Sequence, residues 1–132
     1  MKYPFAILFV LTLSHLKAQK NETHSLPLKT YIALCDSTTS VDVVILAGSG
    51  ESISIEGNNV HYFNTFIQNS PTSKTVSKEA GTMMWEINGK EFMSGKFYLA
   101  DSSAYIVFNQ NGKEYVDRIS AQGITFLKNQ IK

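Results

Sequence analysis

Short apolar or alternating runs recur along the chain from Val41 to Ile131, and glycine, asparagine and serine separate them. VDVVILA (41–47) is rich in β-branched residues, and after the break GSG the residues SISI (52–55) alternate strictly between polar and apolar. Runs of this kind are typical of short strands joined by tight turns. The pattern predicts an all-β domain of eight or nine short antiparallel strands. It favours a small β-barrel or a two-layer β-sandwich that ends in a β-meander.

Three other segments are predicted as strands from their composition. TYIALC (30–35) and ITFLK (124–128) would be the first and last strands of the domain. VHYFNTFI (60–67) is ambiguous, because its apolar residues also recur at helical spacing. It contains no Ala, Leu, Glu or Lys, so a strand is the preferred interpretation and a helix is the alternative.

Two Asn-Gly pairs, at 88–89 and 111–112, lie between alternating runs. They predict two-residue hairpin turns, because a type I′ turn needs positive φ at both central residues. The first turn would pair Glu86 with Glu91, Trp85 with Phe92 and Met84 with Met93. The second would pair Phe108 with Tyr115 and Val107 with Val116. A tight turn at Asp101-Ser102 would set Leu99 against Ala104 and Phe97 against Ile106.

This register sorts the side chains of the meander onto two faces. The predicted core face carries Met84, Met93, Phe97, Leu99, Ala104, Ile106, Phe108, Tyr115 and Ile119. The other face carries Trp85, Phe92, Tyr98, Tyr105, Val107 and Val116, interrupted by Ser94, Lys96, Glu114 and Arg118. A solvent-facing sheet surface does not normally carry four aromatic residues. The pattern therefore predicts a ligand-binding face of Trp85, Phe92, Tyr98 and Tyr105, with Lys96 and Arg118 as positive donors. The alternative is a second core surface, covered by the polar loop 68–81, the N-terminal arm or a helix at 60–67.

The first 18 residues have the order of a secretory signal peptide, with Lys2, an apolar run over 5–13 and a more polar tail to Ala18. The apolar run is roughly ten residues long, whereas a membrane-spanning helix needs about 20. We predict cleavage after Ala18, a secreted or periplasmic protein, and no stable membrane span after cleavage. The mature chain would have a flexible arm over 19–29 and one all-β domain over 30–132, with the polar loop 68–81 inside it.

Charge and cysteine content exclude several classes of function. Lys2 and Lys17 would leave with the signal peptide, so ten basic residues would stand against eleven acidic ones without a basic patch. Nucleic acid is therefore not an expected partner. Cys35 is the only cysteine, so no disulfide framework can form within the chain. A buried inert thiol is the preferred interpretation of Cys35, and pairing with another chain is the alternative.

Catalytic and cofactor chemistry find little support. The stretch VVILAGSGES (43–52) lacks the third glycine and the helix that dinucleotide binding requires. Cys35 with His61 is a weak candidate for a thiol–imidazole pair, and the histidines show no metal-ligand spacing. Glu86 and Glu91 face each other in the predicted register, which would raise one carboxyl pKa. Paired carboxylates serve glycosidases, but two solvent-facing side chains at a hairpin end are the preferred interpretation.

These patterns together predict a non-enzymatic binding module without cofactor or metal. It would engage a polypeptide or a small apolar ligand through the aromatic sheet face, with Lys96 or Arg118 orienting an acidic group. One alternative is a structural or adhesive component whose copies are linked through exposed strand edges and Cys35. A glycan-acting hydrolase that uses Glu86 and Glu91 is a further alternative. The number of subunits stays open.

Overall fold

One antiparallel sheet of seven strands organises the protein, in a computed structural model that describes residues 23–48, 50–75 and 78–131. The strands are β1 (Ser40–Ile45), β2 (Ser52–Glu56), β3 (Ile67–Pro71), β4 (Glu79–Ile87), β5 (Lys90–Leu99), β6 (Ala104–Gln110) and β7 (Lys113–Ile119). The helices are α1 (Leu28–Ser37), α2 (Asn59–Asn64) and α3 (Ala121–Gln130). The sheet order is β2-β1-β4-β5-β6-β7-β3.

The antiparallel, mostly β architecture is confirmed, but the sheet is open and has seven strands rather than eight or nine. A barrel is therefore not confirmed. Helices form the second layer, because residues of α1, α2 and α3 share one core with one face of the sheet. This helix-packed face carries, among others, Val43, Met83, Phe97 and Ile106. The opposite face carries, among others, Val44, Lys96, Tyr105 and Val116.

Both hairpins predicted from an Asn-Gly turn are present. Asn88 and Asn111 both have a φ of 52°, and the glycines that follow them also have positive φ. The second hairpin and the turn before it have the predicted register, with Phe108 opposite Tyr115 and Phe97 opposite Ile106. The β1–β2 hairpin is also present. Local turn chemistry therefore predicts most of the sheet correctly.

Three segments predicted as strands are helical. Residues 30–35 lie in α1, residues 60–64 in α2 and residues 124–128 in α3. Each of these helices buries a narrow stripe against the sheet, such as Leu34 on α1 and Leu127 on α3. A short apolar run fits a strand and a buried helix equally well, so tertiary packing decided against the strand propensity of these segments.

The predicted register of the first hairpin is wrong beyond the pair of Glu86 and Glu91. Glu86 does face Glu91, but Trp85 faces Met93 instead of Phe92. The register shifts between these two pairs, which leaves Phe92 as an extra residue in β5. A bulge of one residue moves the following side chains to the other face. Trp85 is therefore fully buried on the helix-packed face, and Met84 takes the predicted place of Trp85 on the opposite face.

The described part of the N-terminal arm lies along the β3 and β7 end of the sheet. The backbone N–H of Val116 donates to the carbonyl of His24 at 2.8 Å. The side-chain amide of Asn69 donates to the carbonyl of Leu26 at 2.9 Å, and the Leu26 side chain is buried. Within the predicted polar loop 68–81, β3 continues to Pro71 and β4 begins at Glu79. The arm thus completes one end of the sheet.

A buried amide joins two helices to the sheet. Asn64 is 2% exposed, and its Oδ1 accepts a hydrogen bond of 2.8 Å from the Trp85 indole Nε1. Its Nδ2 donates to the carbonyl of Leu34 and to Thr38 Oγ1, both at 3.1 Å. One side chain on α2 therefore satisfies polar groups at the end of α1 and on β4. Buried groups of this kind are costly when a partner is removed.

We predict that Asn64→Leu lowers the free energy of unfolding by about 2–4 kcal/mol, because the buried indole N–H then loses its acceptor. Urea denaturation measures the change. Asn129→Leu, the same substitution at an exposed position on α3, should shift the midpoint little. A loss below about 1 kcal/mol for Asn64→Leu would show that the amide is not a structural link.

Candidate functional site

Only two of the four aromatic residues of the predicted binding face lie together, and one of these two is buried. Tyr98 and Tyr105 stack on the opposite face, with ring centroids 4.9 Å apart and an interplanar angle of 15°. Tyr105 is only 4% exposed, and its hydroxyl donates to the carbonyl of Thr75 at 3.0 Å. Val107 and Val116 are buried beside this pair. Thr75 therefore lies against this tyrosine pair, and little of the Tyr105 side chain is left exposed.

Four of the six predicted binding residues lie near one another on that face: Tyr98, Tyr105, Lys96 and Arg118. Lys96 Nζ lies 3.7 Å from Glu79 Oε1. Arg118 sits opposite Tyr105 and is exposed. It lines a cavity of about 260 Å³ whose other walls include Gln68, Thr72, Ser102, Ser103 and Ser120. Trp85 and Phe92 do not join this group, because both pack with the core on the helix side.

A more open aromatic surface lies on the helix side of the sheet, between β2, α2 and α3. Two hollows of about 320 and 330 Å³ share three lining residues, so they adjoin. We call this surface the aromatic groove and define it by Ile55, Tyr62, Phe63, Phe66 and Phe126. Tyr62 is 61% exposed, whereas Phe63 and Phe66 are 2% exposed. The groove therefore has a rigid floor and one exposed aromatic wall.

Ring contacts hold the groove residues in place. Phe66 contacts Tyr62, Phe63 and Phe126 with ring centroids 5.1, 5.6 and 5.5 Å apart. Phe63 and Phe126 are 5.9 Å apart in an edge-to-face arrangement. Such aromatic pairs stabilise one another beyond the area that they bury. One cluster thus contains Tyr62 and Phe63 of α2, Phe66 of the turn that follows α2, and Phe126 of α3.

A glycine allows α3 to reach this cluster. A Cβ at Gly123 would lie 2.7 Å from Ile119 Cγ2 and 2.8 Å from Phe66 Cβ, which is too close for either neighbour. The helix is oriented there by Ser120, whose side chain accepts a hydrogen bond of 3.1 Å from the Gly123 N–H. Only a glycine permits this approach, and the approach places Phe126 beside Phe66.

Four carboxylates lie together on the opposite face, at the end of the sheet where β1 begins. This carboxylate cluster consists of Asp42, Glu56, Glu86 and Glu91. Ser54 Oγ donates to Asp42 Oδ1 at 2.7 Å. A hydrogen bond with Asp42 raises the pKa of Glu86, and desolvation and the neighbouring negative charges raise it further. The predicted rise at this pair is confirmed for Glu86, but Asp42 is its main cause and Glu91 contributes least.

The candidates for catalysis have unfavourable surroundings. Neither Glu86 nor Glu91 lines any of the three cavities above. Cys35 is partly buried, and burial raises the pKa of its thiol, whereas a nucleophilic cysteine needs a lowered one. Burial, and then a hydrogen bond with Cys35, raises the pKa of Tyr31 to about 12. The Tyr31 hydroxyl donates to the carbonyl of Ile67 at 2.7 Å, which indicates a structural role.

A buried carboxylate lies beneath the N-terminal arm. Asp117 on β7 is fully buried on the helix-packed face, and its Oδ2 accepts a hydrogen bond of 3.2 Å from the Leu26 N–H. Burial raises the pKa of Asp117 to about 6, although the bond from Leu26 lowers it in part. The sequence pattern did not single out Asp117, although its position between Tyr115 and Ile119 puts it on the predicted core face.

Comparison with known protein families, with curated proteins and with solved structures finds no match to this chain. No helix within residues 23–48, 50–75 and 78–131 has the length and apolar character needed to cross a bilayer.

We predict that Asp117 makes stability depend on pH between about 4 and 6. Its pKa rises from about 3.9 in the unfolded chain to about 6 in the fold. The folded state thus binds the proton more tightly. The contribution of Asp117 is fully present below about pH 4 and is lost as the pH rises through 6, a change of at most about 3 kcal/mol.

Urea denaturation of the wild type and of Asp117→Asn between pH 4 and 7 tests this prediction. The difference in unfolding free energy between the two proteins should change across that window. Asp101→Asn, at an exposed position, serves as the control and should follow the wild type. Parallel profiles for the wild type and Asp117→Asn would contradict the prediction.

Proposed function

We propose that this protein is an exported, non-enzymatic binding module that holds an apolar group of a polypeptide or of a small ligand in the aromatic groove. The observation that carries the proposal is the groove itself, with a buried aromatic floor and Tyr62 61% exposed. Concave apolar surfaces with a few polar groups at the rim are the usual form of a ligand site. Ser54, Asn59, Gln122 and Asn129 provide such a rim.

The groove is suited to binding because its buried side chains are already immobilised by folding and lose little further conformational entropy when a ligand binds. Phe63 and Phe66 belong to the core, so a ligand need not immobilise them. A pre-organised site loses little conformational entropy on binding. Tyr62 offers apolar area that becomes buried only when a ligand is present, and each Å² buried contributes about 25 cal/mol. These features favour a rigid side chain or ring as the ligand.

The tyrosine pair is a weaker surface for the same function. Tyr105, Val107 and Val116 are already buried, so they offer a ligand little apolar area. Tyr98, Lys96 and Arg118 stay predicted ligand contacts, since Arg118 lines a polar cavity into which an acidic group would fit. Trp85 and Phe92 would contribute through the packing of the fold. Burial raises the pKa of the Cys35 thiol, which disfavours this residue as a nucleophile and supports a module without catalysis.

The proposal of export rests on the first 18 residues, which lie outside the described residues. We predict that the full-length gene product, expressed in a host with a secretory pathway, appears outside the cytoplasm with Gln19 as its first residue. Mass spectrometry of the intact protein measures this directly. Protein recovered from the cytoplasm with Met1 retained would contradict it.

We predict that indole, as an analogue of an aromatic side chain, binds in the aromatic groove. NMR titration of the isotope-labelled protein should show saturable shifts at Tyr62, Phe66 and Phe126. Tyr62→Ala should weaken binding roughly three- to tenfold, the value of one aromatic contact. The fold should survive, because the side chain is mostly exposed.

The matched control is Leu28→Ala on α1, since Leu28 is 63% exposed and lies outside the groove. This variant should bind indole as the wild type does. Shifts that cluster around Tyr98 and Arg118 instead would move the binding site to the tyrosine face. Shifts that stay linear and scattered would overturn the proposal of a binding groove.

A further inference from the structure

We propose that the outer edge of β2 is a docking site for an extended polypeptide segment in which basic and apolar residues alternate. The segment would pair with β2 as an eighth strand and place its apolar side chains in the aromatic groove. This inference rests on the proposed function and deepens it, because it names the class of partner. Strand addition to an exposed sheet edge is a common mode of peptide recognition.

The two edges of the sheet differ in their protection. At the β3 edge, Pro71, a register irregularity and the N-terminal arm all oppose the addition of another strand. At the β2 edge, no described strand pairs beyond β2, and the strand contains neither proline nor a bulge. Its residues alternate between exposed Ser52, Ser54 and Glu56 and the less exposed Ile53 and Ile55. β2 is therefore a regular strand with a free side.

The two sides of this edge differ in chemistry. Ser54, Ile55 and Glu56 of β2 also line the aromatic groove, so the groove begins directly at the free edge. On the opposite face, Ser54 of β2 pairs with Asp42 of β1. Glu56 of β2 pairs with Ser40 of β1, which in turn pairs with Glu86 of β4. Successive side chains of a strand point to opposite faces. A segment paired with β2 would thus place every second side chain toward the aromatic groove and the others toward the carboxylate cluster.

The side chains of the docked segment that point toward the carboxylate cluster should be basic, because they would face negative charge. Residues 30–73 contain four acidic residues and no lysine or arginine. In the described part of the chain, the salt bridges join Lys74 to Glu114 and Lys96 to Glu79, and neither includes a member of the carboxylate cluster. The hydrogen bond with Asp42 raises the pKa of Glu86 most, and desolvation and then the crowding of negative charge raise it further. Lysine or arginine side chains of a partner would relieve it.

The same charges disfavour a second copy of this chain as the occupant. Two β2 edges that paired would bring Glu51 and Glu56 of both copies onto one joint sheet, where like charges repel. A basic partner gains from these carboxylates, whereas an acidic or identical one does not. Electrostatic complementarity of this kind selects the partner and its register.

The test uses the full mature chain and an end-capped octapeptide in which lysine alternates with valine and phenylalanine. We expect saturable binding that weakens as salt is raised, with slowed hydrogen exchange at the outward amides of β2. Glu56→Lys should weaken binding about tenfold, because it reverses one contact charge. The matched control Asp101→Lys makes the same charge change at an exposed residue away from β2 and should bind normally.

Two altered peptides make the test specific. Glutamate in place of lysine should abolish binding, and methylation of alternate backbone nitrogens should do the same by removing the donors of one edge. Equal binding of either peptide, or protection of amides elsewhere than β2, would overturn the inference. Self-association of the chain through β2 in sedimentation would also overturn it and would favour a structural assembly.

The two proposals fail in different ways. Wild-type protein that binds indole in the aromatic groove but not the alternating peptide at β2 would refute this inference alone. Wild-type protein that binds neither would refute the proposed function as well.

Discussion

The side-chain amide of Asn64 is the contact on which the arrangement of the layers depends. It links the end of α1, the short helix α2 and the indole of Trp85 through buried hydrogen bonds. α2 has only six residues, so its own backbone hydrogen bonds cannot hold it in place. The position of α2 determines where Phe63 and Phe66 lie, and these two residues form the floor of the aromatic groove. A polar contact in the core thus sets the shape of an apolar surface.

The parts of the fold that were predictable are those controlled by neighbours in sequence. Asn111-Gly112 determines its own turn and the register of the strands on either side. The helices were not predictable in this way, because a short apolar run such as that around Leu34 suits a strand or a buried helix, and only packing decides between them. Trp85 shows a second limit. One extra residue, Phe92, reverses its facing, and no local signal distinguishes a bulged strand from a regular one.

The candidate site was harder to predict than the fold. Tyr98 and Tyr105 were correctly placed together, because both lie in a register set by a tight turn. The aromatic groove depends on α2 and α3 meeting at Gly123, a contact between segments far apart in sequence. Composition gave one usable sign, since 60–67 holds three aromatic residues and was recognised as an alternative helix. The raised pKa of Asp117 likewise arises from burial in the folded protein, which the residue type alone does not indicate.

The uneven distribution of charge also has a kinetic consequence. Asp42, Glu51 and Glu56 lie at the β1–β2 end of the sheet, and residues 30–73 contain no lysine or arginine. This end of a nearly neutral chain therefore carries a local excess of negative charge. A positively charged molecule that diffuses nearby is drawn toward the β2 end before any contact forms. Encounters guided in this way are faster than random ones and slow as the ionic strength of the surroundings rises.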